Sequence, residues 1–80
     1  MNVKQAVVAR FREIMRDRGI RPNELANMAG VTPSTVYSML DDNRKELRIS
    51  VIKKLCDALD MTLGEFFSAQ VFDDLEQEIK

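Results

Sequence analysis

The sequence contains no histidine and no tryptophan, and it has a single cysteine, Cys56. Without histidine the commonest general base is missing, and the lone thiol has no imidazole partner to activate it. A Cys/His metal cluster and an intramolecular disulfide are both excluded. The absence of disulfides is typical of an intracellular protein. These absences argue against an enzyme, and we expect the protein to hold no metal and no cofactor.

Long apolar runs are also missing, since none approaches the roughly 18 residues that a membrane span requires. The N-terminal stretch MNVKQAVVARFRE carries charge too early for a signal peptide. The 80 residues are 45% hydrophobic and 31% charged, which is the composition of one small globular domain. We therefore expect a cytoplasmic protein without a membrane partner.

Charge is distributed unevenly along the chain, although the net charge is only −1. Residues 1–56 contain 11 Lys and Arg against 6 Asp and Glu, whereas residues 57–80 contain 1 Lys against 7 acidic residues. A clustered basic surface is typical of proteins that bind the phosphates of nucleic acids. The pattern predicts a basic body that faces a nucleic acid and an acidic end turned away from it.

The spacing of apolar residues predicts an all-α fold of five helices with a short C-terminal helical extension. Asn2 with Gln5, and Thr62 with Glu65, have the spacing of capping boxes at helix starts. The expected helices cover about residues 3–18, 23–29, 33–40 and 50–59, then a fifth from Thr62, with a tail over 71–79 that extends the fifth or forms a short sixth.

The stretch ELANMAGVTPSTVYSML is the most informative part of the sequence. It predicts a helix, a tight turn that Gly30 permits, and a second helix that Thr32 caps and Pro33 begins. Ala26 is small where the two helices would cross, and Val36 would pack under the turn. This spacing resembles the helix-turn-helix of phage Cro and repressor proteins, the XRE-like family, and ISVIKKLCDALDMTLGEFF resembles the two helices that close that fold.

The resemblance covers roughly residues 7–67 and implies a lambda-repressor-like DNA-binding domain in residues 1–69, followed by a C-terminal extension in residues 70–80. It implies a transcriptional regulator whose helix 33–40 enters the major groove of double-stranded DNA. A repressor is the first expectation and an activator the alternative, because the sequence does not separate the two. Pro33, Ser34 and Ser38 match base-facing positions of the family, and Tyr37 is also expected to point outward. The expected base-contacting residues are Pro33, Ser34, Tyr37 and Ser38.

Phosphate contacts are expected on both sides of this helix, because helix N-termini and basic loops attract anions. Lys45 and Arg48 match basic phosphate-contacting positions of phage repressors, and Ser50 is expected to cap the fourth helix. The alternative for these residues is that they are plain helix caps and solvated loop charges. The expected phosphate-contacting residues are Arg21, Asn23, Thr32, Asn43, Arg44, Lys45, Arg48 and Ser50.

Several apolar residues lie near the C-terminus, and they either complete one core or form a two-fold interface. Proteins of this fold usually read pseudo-palindromic sites as dimers, so we expect a homodimer. The expected interface residues are Phe66, Val71, Phe72 and Leu75. Cys56 is expected to be a small buried hydrophobe. The arginines of the first helix are expected to be surface charges: Arg10, Arg12, Arg16 and Arg18.

Alternative functions remain open at this point. The chain could be the antitoxin of a toxin–antitoxin pair, with its acidic and apolar tail holding the toxin. It could instead be a protein-interaction module without DNA binding, which the net acidity and the lack of Arg or Asn at the base-facing positions favour. A small hydrolase is disfavoured by the missing histidine. No small-molecule effector is expected, because no effector domain follows the helix-turn-helix.

Overall fold

The computed structural model describes residues 1–44 and 46–79 of the chain. Lys45, one of the predicted phosphate contacts, lies outside these residues. Over the described ranges the protein is all-helical, as predicted, and its sixth helix is short. The helices are α1 (Val3–Arg18), α2 (Pro22–Ala29), α3 (Pro33–Leu40), α4 (Ile49–Ala58), α5 (Leu63–Phe67) and α6 (Gln70–Asp73).

Two capping boxes begin α1 and α5, as the sequence predicts. The Asn2 side chain accepts a hydrogen bond from the Gln5 backbone N–H, and the Gln5 side chain accepts one from the Asn2 N–H, both at 2.8 Å. Thr62 and Glu65 make the same pair of bonds at the start of α5, at 3.0 and 2.9 Å. Each box satisfies backbone donors that a helix N-terminus leaves free.

The start of α4 differs from the sequence prediction. Ser50 does not cap this helix: the N-cap is Arg48, and the helix begins at Ile49. The Arg48 carbonyl accepts hydrogen bonds from the N–H groups of Val51 and Ile52, at 3.1 and 3.3 Å, so helical bonding starts two residues before Ser50. Ser50 therefore lies exposed within the first turn of α4.

Phe66 lies at the centre of the core and has no solvent-exposed surface. Its ring centroid is 4.4 Å from that of Phe11 on α1, and the rings of Phe67 and Phe72 lie at 5.0 and 5.8 Å. A phenylalanine in such a place stabilises a domain by about 3–5 kcal/mol relative to alanine. The placement of Phe66 in a dimer interface is therefore corrected, because a side chain buried within one subunit has no surface to offer a partner.

Two arginines of α1 are not the plain surface charges that the sequence predicts. Arg10 donates from Nε to the Phe66 carbonyl at 2.9 Å and pairs with Glu13 at 2.7 Å. Arg18 donates to the Leu59 carbonyl at 2.6 Å. These guanidinium groups bond carbonyls at or near the ends of α5 and α4, where backbone acceptors are otherwise free. Arg10 and Arg18 therefore fasten α1 to the C-terminal half of the domain.

Cys56 is fully buried on the inner face of α4, as predicted. Burial is the main cause that raises the pKa of its thiol, and the neighbouring Asp57 charge adds to the effect. A higher thiol pKa means less of the reactive thiolate at neutral pH. Cys56 is thus a packing residue of the core.

Candidate nucleic-acid interface

The turn between α2 and α3 fixes how the second helix is presented. Gly30 adopts a left-handed conformation with φ of 69°, which ends α2 without the strain that a side chain would bring. The Val31 N–H donates to the Ala26 carbonyl at 3.1 Å and closes the turn. Ala26 and Val36 are fully buried, so the two helices pack closely and leave the opposite face of α3 in solvent.

The outward face of α3 consists of the four residues predicted to contact bases. Pro33, Ser34 and Tyr37 are exposed, and Ser38 is half-buried. Tyr37 is the only aromatic residue among them, and 53% of its surface is exposed. The structure places these residues, which we call the α3 surface (Pro33, Ser34, Tyr37 and Ser38), together on one accessible side of the helix.

Thr32 caps α3 and is tied to the α3 surface through its hydroxyl. Thr32 Oγ1 accepts the Thr35 backbone N–H at 3.3 Å and lies 3.0 Å from Ser34 Oγ. The Ser34 hydroxyl can rotate between donating and accepting, so it can keep this contact or turn toward a ligand. The N-terminal end of α3 thus presents hydroxyl groups and the positive end of the helix dipole in one place.

A cleft of about 310 Å³ separates α3 from the segment that leads into α4. Ser34 and Ser38 line this cleft on the α3 side. Arg44 and Arg48 line it on the other side, together with the acidic Glu46. The structure therefore brings together hydroxyl groups from the α3 surface and two of the predicted phosphate contacts. Guanidinium groups beside hydroxyl donors form a surface suited to phosphate oxygens.

The turn after α3 holds two predicted phosphate contacts against Asp41. The Asp41 carboxylate accepts the Asn43 N–H at 3.0 Å, and its carbonyl accepts the Arg44 N–H at 3.1 Å. The Arg44 guanidinium lies 4.0 Å from the same carboxylate and stays largely exposed. We call residues 41–44 the Asp41 turn. Its backbone is fixed by these bonds while its basic side chain remains available.

The remaining predicted phosphate contacts lie at the starts of α2 and α4. Arg21 and Asn23 are exposed at the first turn of α2, and neither lines the cleft. Glu24 accepts the Arg21 backbone N–H at 3.2 Å, so a carboxylate already lies at this helix end. Ser50 is exposed at the start of α4. None of these three residues lines the cleft.

Lys4 is a residue of this region that the sequence analysis missed. It is only 4% exposed, and its ammonium group donates a hydrogen bond to the carbonyl of Asp41, at the C-cap of α3. The overlooked signal is its spacing, since Val7 and Val8 follow at three and four residues and both are buried. A lysine on the apolar stripe of a helix needs a partner inside the protein.

Two packed helices joined by a glycine turn, with the second helix exposed beside basic residues, define a helix-turn-helix DNA-binding domain. The family model of the Cro/C1-type HTH DNA-binding domain matches residues 10–71, and the chain belongs to this family.

A similar structure is known from prophage Lp1, described as the crystal structure of the prophage Lp1 protein 11. It shares 24% sequence identity with this chain and superposes with a TM-score of 0.80, over 92% of this chain and 97% of the other. At this identity the likeness shows a common fold. No curated protein matches the chain. Within the described residues, no helix is long and apolar enough to cross a membrane.

Proposed function

We propose that the protein is a sequence-specific regulator of transcription that reads the major groove of double-stranded DNA with α3 and acts as a repressor. The observation that carries this proposal is the cleft that Ser34 and Ser38 line together with Arg44 and Arg48. An exposed helix of this size fits the major groove, and flanking arginines reach the backbone. Occupying a promoter blocks polymerase without any catalytic activity, and we expect neither an enzymatic activity nor a small-molecule effector.

The α3 surface would read bases, and the basic residues around it would hold phosphates. Serine hydroxyls donate or accept equally well, so each base contact discriminates modestly. Tyr37 would pack along the groove wall. The proposed phosphate contacts, with Arg44 and Arg48 at their centre, are Arg21, Asn23, Thr32, Asn43, Arg44, Lys45, Arg48 and Ser50. Their binding energy would be largely independent of sequence and sensitive to salt.

We further propose a homodimer through the C-terminal extension of residues 70–80. Val71, Phe72 and Leu75 are half-buried, so part of each side chain is available to a partner. Two-fold symmetry would place two copies of α3 in successive major grooves, roughly 34 Å apart. Phe66 is left out of this interface because it is fully buried.

The test is selection from a random duplex pool at about 50 mM and about 200 mM salt, followed by sequencing. We expect an enriched palindromic site and an affinity that falls steeply between the two salt concentrations. An enriched site without two-fold symmetry would contradict the dimer and leave the DNA-binding proposal standing. A pool that stays unenriched, with little binding at the lower salt, would contradict the proposed function.

A second candidate, an antitoxin that holds a partner protein with its tail, is favoured by one observation. Ile79 is 83% exposed beside acidic residues of the tail, Asp73, Asp74, Glu76 and Glu78. An exposed apolar side chain in an acidic segment suits a basic partner with an apolar patch. A chain that binds its DNA site as a monomer, with the tail unused, would support this candidate over the homodimer.

A further inference from the structure

Lys4 is the one buried charged side chain among residues 1–44 and 46–79. Burying an ammonium group is costly unless it is hydrogen-bonded. Its bond goes to the carbonyl of Asp41, which lies at the C-terminal end of α3. Carbonyls at a helix C-terminus carry partial negative charge and favour a cation. Lys4 therefore fastens the first turn of α1 to the end of α3.

Asp41 extends this connection into the loop. The carbonyl that accepts from Lys4 also accepts the backbone N–H of Arg44, and the carboxylate accepts the N–H of Asn43. The positions of Asn43 and Arg44 relative to α3 thus depend on Asp41. Asp41 is in turn held by Lys4 of α1. A chain of bonds links Lys4 to the basic side of the cleft.

We propose that Lys4 is a positioning residue of the DNA interface, an inference that rests on the proposed function. Lys4 holds the end of α3 and the Asp41 turn in a fixed relation, and this sets the distance between the α3 surface and Arg44. The Lys4 side chain is buried and does not reach a phosphate itself. Its effect on DNA binding is therefore exerted through the loop.

The experiment compares Lys4→Met with Lys4→Arg and with the control Lys54→Met, which removes the same charge from an exposed position of α4. Binding to the selected DNA site is measured over a range of salt, under conditions where each variant is fully folded. We expect Lys4→Met to raise Kd about tenfold and to reduce the salt slope by about 1. Lys54→Met should leave the slope unchanged, and Lys4→Arg should restore most of the affinity.

Amide hydrogen exchange in the free protein provides a readout that does not depend on DNA. In Lys4→Met, the amides of Asn43 and Arg44 should exchange faster relative to that of Leu59, whose N–H bonds lie at the end of α4. The inference would be overturned if the wild-type protein binds DNA and the Lys4→Met variant has the same affinity, salt slope and exchange rates as the wild type. A wild-type chain that binds no DNA would instead overturn the proposed function, whatever the exchange rates show.

Lys4→Met could fail to fold, and a second pair of variants covers that case. Asp41→Ala removes the carboxylate that holds Asn43, and Asp42→Ala removes the same charge from the neighbouring exposed position. Losing a negative charge beside DNA should by itself strengthen binding. We expect Asp41→Ala to bind about fivefold more weakly than Asp42→Ala, since Asn43 is no longer held, while the carbonyl that accepts from Lys4 and Arg44 remains. Equal affinities of the two variants would show that the geometry of the Asp41 turn does not affect binding, and would overturn the route through this turn on which the inference depends.

Discussion

Hydroxyl groups and arginines have different tasks at the scale of single residues. The hydroxyls of Ser34 and Ser38 are short and neutral, so they can contribute only when a matching base edge lies within hydrogen-bond distance. Arg44 and Arg48 are long and charged, and they attract any phosphate in reach. The two groups line the same cleft, yet their substitution should change different properties of DNA binding.

Replacing both Arg44 and Arg48 by alanine should weaken binding to all duplexes alike. Fewer counterions are released when fewer phosphates are neutralised, so the slope of log K against log salt should decrease by about 2. Fluorescence anisotropy across a salt series measures this slope. The control is the pair Arg12→Ala and Arg16→Ala, which removes the same charge from exposed positions of α1. If the control lowers the slope as much, the cleft is not the phosphate site.

Ser34→Ala should reduce discrimination and leave the salt slope unchanged. The expected loss is about 1 kcal/mol, or about fivefold, between the selected site and a single mismatch under Ser34. Competition binding with the two duplexes measures this ratio. Ser68→Ala, at an exposed serine after α5, should preserve it. A fall in affinity that is equal for both duplexes would assign Ser34 to the backbone rather than to a base.

At the scale of secondary-structure elements, the capping box at the start of α5 stabilises that helix. The N-terminus of α5 is held by Glu65, whose carboxylate accepts the Thr62 N–H at 2.9 Å. The hydrogen bonds of Thr62 lower the pKa of Glu65 from its ordinary value of 4.5. Because the ionised form is favoured in the folded state, its contribution to stability is present above pH 4.5 and is lost as the pH falls through the lowered pKa.

Glu65→Gln should therefore change the pH dependence of stability. Glutamine keeps a hydrogen-bond acceptor at the cap but has no charge to lose. The difference in free energy of unfolding between the wild type and the variant should therefore be larger at pH 6 than at pH 3. Urea unfolding at both pH values measures the difference. Glu76→Gln, at an exposed position after α6, should show a smaller dependence. An identical dependence in both variants would contradict the role of the cap.

At the scale of the whole molecule, basic residues are concentrated in residues 1–56 and acidic residues in residues 57–80. If the extension joins two copies, Leu75→Glu should dissociate them, because it would bury a charge in an apolar contact. We expect the dimer to weaken by about 2–3 kcal/mol, measured by light scattering over a concentration series. Gln77→Glu adds the same charge at an exposed position nearby and should leave the dimer intact. A wild-type chain that is monomeric at all concentrations would contradict the interface itself.

The sequence by itself determined the local features of this protein. The capping box of Asn2 and Gln5, the glycine turn at Gly30 and the bounds of α3 depend on bonds between residues a few positions apart. Composition and apolar spacing predicted the all-α class, and the motif predicted which helix faces outward. These properties depend on residue types a few positions apart, and such patterns can be identified in the sequence alone.

Only the tertiary structure decided the features that join distant parts of the chain. Lys4 reaches Asp41 across 37 positions, and Arg10 reaches Phe66 across 56. Phe66, which the sequence analysis placed in a dimer interface, is instead buried in the core of one subunit. Spacing shows that a side chain lies on an apolar face but not what covers that face. The difference is decided by packing, since the same apolar stripe lowers its free energy equally against its own core or against a second molecule.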